Sequence, residues 1–175
     1  MLPVAILQHE PSQGPGFLAD FLQQQGISCA LFQAAQAELP RGVGDYSGLV
    51  VLGSNRSVNE GLPWIERELA LVQQAVERDV PVLGHCFGAQ MLARAMGARV
   101  HRNAWPNIGW SRLAVTPAAR HLFGGQSHAE LFNWHYDTFE IPQGATRSLF
   151  GRHCLNKGFV RGRHLGFQSH LEVTE

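Results

Sequence analysis

One stretch of the sequence decides the fold: residues 80–90, which read Val-Pro-Val-Leu-Gly-His-Cys-Phe-Gly-Ala-Gln. Residues 80–84 form an apolar run typical of a buried parallel strand, and residues 89–96 are strong helix formers. Between them, glycines stand two positions before and two after Cys86, the spacing of a nucleophile on a sharp strand-to-helix turn. Unpaired amides and the helix dipole favour a thiolate at a helix start. The pattern predicts a reactive Cys86, with the amide of Phe87 placed to stabilise an oxyanion.

Strand and helix patterns alternate on the N-terminal side of this turn. The predicted strands are at 3–7, 27–32, 48–52 and 80–84, and the predicted helices at 17–25, 62–79 and 89–96. Short β-α-β crossovers produce a parallel sheet with helices on both faces. We therefore predict an α/β fold with a three-layer, doubly wound, mostly parallel, flavodoxin-like sheet, in a single domain over residues 1–175. Further strands are predicted near 109–115, 130–134, 146–151 and 164–168.

The composition excludes several classes of function. Fourteen basic and fourteen acidic residues give no net positive charge for binding nucleic acids or anionic membranes. Apolar stretches are far shorter than the roughly 18–20 residues of a membrane span, and the histidine and cysteine spacing matches no zinc site. We expect neither a metal nor a cofactor. Three cysteines without close pairing, and an N-terminus without a leader pattern, favour a reducing cytoplasm.

Five cations in the C-terminal part are separated by apolar residues, an arrangement typical of a solvated sheet edge. They are Arg147, Arg152, Lys157, Arg161 and Arg163. Cys29 and Cys154 are expected to be inert packing or surface thiols.

A cysteine nucleophile needs a base, and the base needs a group that orients it. His170 and Glu172 are two residues apart, so on an extended segment they project from one face. We predict His170 as the base and Glu172 as its orienting acid. His135 and Asp137 have the same spacing and are the rival pair.

These motifs resemble the class I (triad) glutamine amidotransferases, in the free-standing branch similar to the amidotransferase domain of GMP synthase. The resemblance rests first on Gly-His-Cys-Phe-Gly-Ala-Gln at 84–90 and His-Leu-Glu at 170–172. Two further segments are similar to family motifs: Leu-Gly-Ser-Asn-Arg-Ser-Val-Asn at 52–59, and Trp-His-Tyr-Asp-Thr-Phe at 134–139. The similarity covers nearly the whole chain.

The resemblance implies a glutaminase that forms a γ-glutamyl thioester on Cys86, releases ammonia, and hydrolyses the thioester with help from His170. It also implies supporting roles at the site. Oxyanion amides would come from Ser54 and Phe87, and the glutamine would be held by Gly53, Gln90, Tyr136 and Asp137. A separate synthase subunit would take the ammonia, because the chain has no acceptor domain.

Four positions depart from the family pattern, and one of them is Asn55, which replaces a proline in the oxyanion loop. Ser54 replaces a glycine in the oxyanion loop, where a non-glycine residue resists some backbone conformations. Tyr136 replaces a glycine beside the substrate, and Leu171 replaces a proline between base and acid. The chain stops three residues after Glu172, which leads us to expect either a shortened protein or an end covered by a partner.

Two other functions stay open at this point. The first is a stand-alone hydrolase of γ-glutamyl amides, whose pocket Tyr136 would reshape. The second is a binding or regulatory module of the same fold, in which the changed loop has ended catalysis and Cys86 is a small buried residue. The sequence also leaves open whether the protein self-associates.

Overall fold

A nine-stranded sheet forms the centre of the protein. A computed structural model describes residues 1–173. The strands are Val4–Gln8 (β1), Cys29–Gln33 (β2), Gly48–Val51 (β3), Val82–His85 (β4), Val100–Val115 (β5), His128–Phe139 (β6), Thr146–Phe150 (β7), Gly158–Arg161 (β8) and His164–Phe167 (β9). Their order in the sheet is β2-β1-β3-β4-β9-β8-β7-β5-β6. The first five strands in this order run parallel, and the pairs from β9 onward are antiparallel. The fold is therefore α/β with a mostly parallel sheet, as predicted, but the sheet is mixed.

Helices cover both faces of the parallel part. They are Gly16–Gln24 (α1), Pro63–Glu77 (α2) and Phe87–Ala95 (α3), and short 3₁₀ helices lie at Ala34–Gln36 and Pro117–Phe123. Alternate residues of β1 and β3 face opposite sides, so Ile6 and Val50 pack with Leu22 of α1. Their neighbours Leu7 and Val51 belong to the larger core that α2 and α3 cover. No helix within residues 1–173 has the length and apolar composition needed to cross a bilayer.

The position of β9 brings the end of the chain to the predicted turn. β9 pairs in parallel with β4, with His85 opposite Phe167, and the amide of Cys86 donates to the carbonyl of Phe167 at 2.8 Å. His170 follows three residues later, and its amide donates to the carbonyl of Phe132 on β6 at 2.9 Å. Strands that are distant in the sequence thus place Cys86 and His170 at one edge of the sheet.

Two elements differ from the sequence prediction. β5 begins at Val100, well before residue 109, because it forms a long ribbon with β6 despite a polar stretch and Pro106. The ladder shifts register between Arg102 and Asn107, which accommodates this irregular stretch. The four-residue strand β8 was not predicted, because its apolar positions are few and lie close to turn residues.

Candidate active site

Cys86 lies on a sharp turn between β4 and α3. Its backbone has φ 51° and ψ −110°, and it caps the N-terminus of α3. A side chain on Gly84 would overlap the backbone of Gly88, and one on Gly88 would overlap the carbonyl of Val51. The two glycines of the motif therefore allow β4, α3 and β3 to approach closely, which holds Cys86 in a strained conformation.

The sulfur of Cys86 opens into a cavity of about 960 Å³. Although the whole residue is only 5 % exposed, it is among the cavity's lining residues, and its Sγ lies 3.5 Å from the carbonyl oxygen of Trp134. The other walls come from the loop at 12–16, the loop at 54–57 and the β6 segment at 132–137, with His170 and Glu172 at the base. The cavity has the size of a small-molecule site.

His170 and Glu172 meet at this cavity. Nδ1 of His170 donates to Oε1 of Glu172 at 2.8 Å. The segment is a bridge followed by a turn, where the sequence predicted an extended segment. Burial lowers the pKa of His170, but hydrogen bonds to Cys86 and Glu172 outweigh it and raise that pKa to about 10. An imidazolium is thus held beside the sulfur at neutral pH.

Glu172 contacts a second imidazole. Nδ1 of His85 lies 2.9 Å from Oε2 of Glu172, although the angles at this contact do not suit a hydrogen bond. Burial raises the pKa of Glu172, but contacts with His170 and His85 outweigh it and lower that pKa to about 2. Glu172 therefore stays ionised between two rings.

The rival pair does not form an acid–base couple. His135 is bonded at Nδ1 to the backbone carbonyl of Asp137 at 2.9 Å, and at Nε2 to the ammonium of Lys157 at 2.7 Å. The carboxylate of Asp137 instead accepts a hydrogen bond from Ser57 at 2.7 Å. Both ring nitrogens of His135 are occupied, so it is not free to take a proton from Cys86.

Ser54 and Phe87, the predicted oxyanion donors, both line the cavity. Phe87 is the first residue of α3, so its amide has no acceptor within the helix. Ser54 does not have a positive φ, so a glycine is not required there. Its loop is anchored by Glu10, whose Oε1 accepts from the amide of Asn55 at 3.1 Å and lies 3.4 Å from Oγ of Ser54.

Gln90 lines the same cavity, and Gly53 lies against His170. The side chain of Gln90 is buried, and its Nε2 donates to the carbonyl of Asp137 at 3.2 Å and to Oε1 of Gln168 at 3.1 Å. A side chain on Gly53 would come within 2.8 Å of Cε1 of His170, so this glycine leaves room for the imidazole.

Tyr136 turns away from the core. Its ring is 41 % exposed and stacks under the guanidinium of Arg102 at 4.8 Å. It is one of the residues that line the cavity.

The sequence prediction missed three residues near the site and misplaced one of them. His85 and Glu10 were not considered, although His85 lies inside the motif that was singled out. Lys157 was predicted on a solvated edge, which is wrong: it is 1 % exposed and donates to His135 and Asn133. Side-chain direction on a short irregular strand entry cannot be deduced from alternation alone. No cluster of three or more metal-ligand side chains occurs in residues 1–173.

Comparison with known proteins identifies the family. The family model "Glutamine amidotransferase class-I" matches residues 17–175. The glutamine amidotransferase-like protein YfeJ of Salmonella typhimurium is 30 % identical over 98 % of this chain and 76 % of its own length. The solved structure of a glutamine amidotransferase from Methylobacillus flagellatus is 41 % identical, covers 99 % of this chain and 72 % of that one, and superposes with a TM-score of 0.95.

Some relatives are longer or carry other names. This chain is 32 % identical to the Saccharomyces cerevisiae protein YLR126C over 74 % of this chain, and it spans about half the length of that protein. It is 27 % identical to a GMP synthase of Nitrosococcus oceani, over 93 % of this chain and 32 % of that protein. It is also 30 % identical to gamma-glutamyl peptidase 5 of Arabidopsis thaliana, over 87 % of this chain and 64 % of that protein. The match over residues 17–175 and the similarity to YfeJ place this chain in the class-I glutamine amidotransferase family.

Proposed function

We propose that this protein hydrolyses the side-chain amide of glutamine through a γ-glutamyl thioester on Cys86, with His170 as the base and Glu172 as its orienting acid. The observation that carries the proposal is the meeting of three groups at one cavity: a cysteine on a strained turn, an imidazole with a raised pKa, and an ionised carboxylate bonded to that imidazole. This is the arrangement that activates a thiol for acyl transfer.

The first half of the reaction breaks the carbon–nitrogen bond. The Cys86 thiolate attacks the amide carbon, and the amides of Phe87 and Ser54 stabilise the oxyanion that forms. The His170 imidazolium gives its proton to the leaving nitrogen, so the bond breaks as ammonia departs and the thioester remains.

The second half restores the enzyme. Neutral His170 takes a proton from water, and the resulting hydroxide attacks the thioester carbon. The carbon–sulfur bond breaks, glutamate leaves, and the thiolate is again paired with an imidazolium. Throughout, Glu172 keeps Nδ1 of His170 protonated, so that the other ring nitrogen can exchange the proton.

The proposed substrate contacts are Gln90, Gly53, Tyr136 and Asp137. Gln90 faces the cavity one helical turn beyond Cys86, on the same side of α3. Gly53 leaves space beside His170, while Tyr136 and Asp137 line the opposite wall. In this arrangement the glutamine side chain would enter between α3 and β6.

A second candidate is the hydrolysis of larger γ-glutamyl amides. The cavity volume of about 960 Å³ is at the upper end for small-molecule sites, whereas glutamine has only ten non-hydrogen atoms. The alternating β6 side chains Phe132, Trp134 and Tyr136 all line it, and Trp134 is 57 % exposed. An aromatic wall of this kind suits an apolar leaving group, and a relative is named a gamma-glutamyl peptidase.

The decisive experiment is covalent trapping. Purified protein is incubated with 6-diazo-5-oxonorleucine, a glutamine analogue, and the modified residue is located by peptide mass spectrometry. We expect one adduct on Cys86 and none on Cys154, which is buried away from the cavity. If iodoacetamide labels Cys86 but the analogue does not, the protein is a binding or regulatory module and the proposal fails.

A substrate panel then separates the two enzymatic candidates. Glutamine and γ-glutamylphenylalanine are compared by kcat/KM, with glutamate as the common product. A higher value for glutamine supports the amidotransferase reading, and a higher value for the dipeptide supports the γ-glutamyl amide hydrolase. Ammonia transfer would require a separate synthase subunit, which we propose as a partner. We also propose that residues 1–175 form a single domain and that the protein acts in the cytoplasm.

A further inference from the structure

We propose that Lys157 is a positioning residue of the cysteine site: its buried ammonium group fixes the tautomer of His135 and stabilises negative charge on Cys86. The inference rests on the proposed function, because it matters only if Cys86 works as a thiolate. It assigns a role to the one lysine of the chain, which the mechanism above does not use.

Lys157 is unusual because it is buried without a carboxylate. It is 1 % exposed, and its Nζ donates to Oδ1 of Asn133 at 2.8 Å and to Nε2 of His135 at 2.7 Å. Within residues 1–173, no carboxylate oxygen lies within 4.0 Å of it. Burying an ammonium ion costs several kcal/mol unless an opposite charge and hydrogen bonds offset it.

The hydrogen bonds determine the protonation of His135. Its Nδ1 faces the carbonyl of Asp137, so this nitrogen carries the proton, and Nε2 must accept from Lys157. Burial and the charge of Lys157 lower the pKa of His135 to about 3. Lys157 therefore keeps His135 neutral and in one tautomer.

The hydrogen bond between Lys157 and His135 connects the ammonium group to the wall of the proposed substrate cavity. The carbonyl of Asp137 accepts from His135 at 2.9 Å, and from the side-chain amides of Gln90 and Gln168 at 3.2 Å each. On the other side, Asn133 is held by Lys157 and by the hydroxyl of Ser169 at 2.8 Å. The ammonium thus lies at the centre of a buried network that reaches Gln90 through the carbonyl of Asp137. It bonds both neighbours of Trp134 on β6, and the carbonyl oxygen of Trp134 lies 3.5 Å from the sulfur of Cys86.

The titratable groups that face Lys157 are few. β6 contributes His135, the segment before β8 contributes Cys154, and the start of α3 contributes Cys86. Burial lowers the pKa of Lys157, while negative charge on Cys154 or Cys86 raises it, and the result is about 8. His170 is a further cation near His135 and does not balance the charge.

Of the two thiols, Cys86 is the one that lines the cavity. The sulfur of Cys154 is 3.3 Å from the hydroxyl of Thr138 and 3.6 Å from the carbonyl of Asn156, in an enclosed position. The sulfur of Cys86 faces the cavity and the protonated His170. Because electrostatic coupling is reciprocal, the charge of Lys157 favours the Cys86 thiolate as much as the thiolate favours the charged lysine.

The first test uses the single lysine as its own reporter. Protein labelled with ¹³C at lysine Cε gives one lysine resonance, whose chemical shift is followed with pH in the wild type and in Cys86→Ser. We expect the midpoint for Lys157 to fall by about half a unit or more in Cys86→Ser, because the neutral hydroxyl removes the anion. An unchanged midpoint, or a fall only in the matched variant Cys154→Ser, overturns the proposal.

The second test measures the thiol. The rate at which iodoacetamide alkylates Cys86 is followed against pH by peptide mass spectrometry in Lys157→Gln, whose side chain is one atom shorter but keeps an N–H donor and removes the charge. We expect about tenfold slower alkylation at pH 7, with the half-maximal pH about one unit higher. The control Arg161→Gln, an exposed cation on β8, should match the wild type.

These readouts separate the inference from simple structural damage and from the proposed function. A purely structural role for Lys157 would lower the melting temperature of Lys157→Gln without moving the half-maximal pH, and that result contradicts the inference. If Lys157→Gln does not fold, the lysine titration still decides. Neither test uses glutamine, so a protein without glutaminase activity could still pass both, and an active one could fail both.

Discussion

One carboxylate oxygen of Glu172 accepts a hydrogen bond from Nδ1 of His170 at 2.8 Å. The other oxygen lies 2.9 Å from Nδ1 of His85, the residue directly before the cysteine. The acid of the proposed triad therefore links the base to the strand that carries the nucleophile.

Replacing the two candidate bases should have very different effects. We expect His170→Ala to lower kcat for glutamine hydrolysis about a thousandfold. Within residues 1–173, the other histidine that lines the cavity is His135, and both of its ring nitrogens are already bonded. His135→Ala should therefore lower kcat less than about tenfold. Steady-state glutamate release measures both. The opposite order of effects would mean that His135 is the base.

His85 should act by positioning Glu172. In His85→Leu, Glu172 loses the imidazole 2.9 Å from its Oε2, a contact that lowers the pKa of Glu172. That pKa should therefore rise, and the acidic limb of the pH–kcat profile should move to higher pH. We expect kcat to fall about tenfold with little change in KM. His85→Asn, which returns a side-chain N–H to this position, should recover most of the loss. Equal activity of His85→Leu and wild type would rule out this role.

A buried pair away from the nucleophile should carry much of the stability. His9 bonds through Nδ1 to the carbonyl of Gly53 and through Nε2 to Glu68 at 2.9 Å, so both nitrogens can donate only in the protonated ring. Burial lowers the pKa of His9, but the charge of Glu68 outweighs it and the pKa is raised. We expect Glu68→Gln to cost about 3 kcal/mol of unfolding free energy at pH 6.

The pH dependence of this loss has a defined sign. Because the pKa of His9 is raised on folding, the pair contributes fully below about pH 6.5 and its contribution declines as pH rises above that value. Urea unfolding at pH 6 and pH 9 should therefore show a smaller difference between wild type and Glu68→Gln at pH 9. Glu66→Gln, on the same helix but paired with Arg94 at the surface, should cost less than about 1 kcal/mol. A difference that grows with pH would contradict the assignment.

The second glycine of the cysteine motif should not tolerate a methyl group. In Gly88→Ala, the new Cβ would overlap the backbone carbonyl of Val51, which cannot move without disturbing β3. We expect a loss of about 3 kcal/mol or more, or failure to fold. Gly44→Ala is the matched control, because its Cβ would meet only Arg78 at 4.0 Å. Thermal unfolding compares the two, and equal melting temperatures would show that β3 and α3 can separate at little cost.

The fold was largely predictable because its first half alternates strand and helix with clear apolar periodicity. The cysteine turn was predictable for a different reason: only small residues fit where α3 crosses β3, so the glycines appear at fixed spacing. The β5–β6 ribbon was predicted too short, because the residues around Pro106 resemble a turn and pair only through a register shift. Local patterns do not reveal such long-range pairing.

The site was predictable where its residues follow one another in the sequence. His170 and Glu172 were found by their spacing, and they do meet at the cavity. Lys157 and His85 were not found, because their importance comes from partners that only the folded sheet brings near. Lys157 bonds His135, which is 22 residues away in the sequence. His85 contacts Glu172, which is near the end of the chain. A lysine among arginines and apolar residues looks like a surface cation until its burial is known.

The parallel pairing of β4 with β9 has a consequence for biosynthesis. A ribosome produces the thiol-bearing strand long before it produces the histidine, and β9 must then insert between β4 and β8. Until β9 pairs with β4, the nascent polypeptide carries Cys86 without His170 beside it. The turn at Cys86 is therefore complete only after β9 has paired with β4.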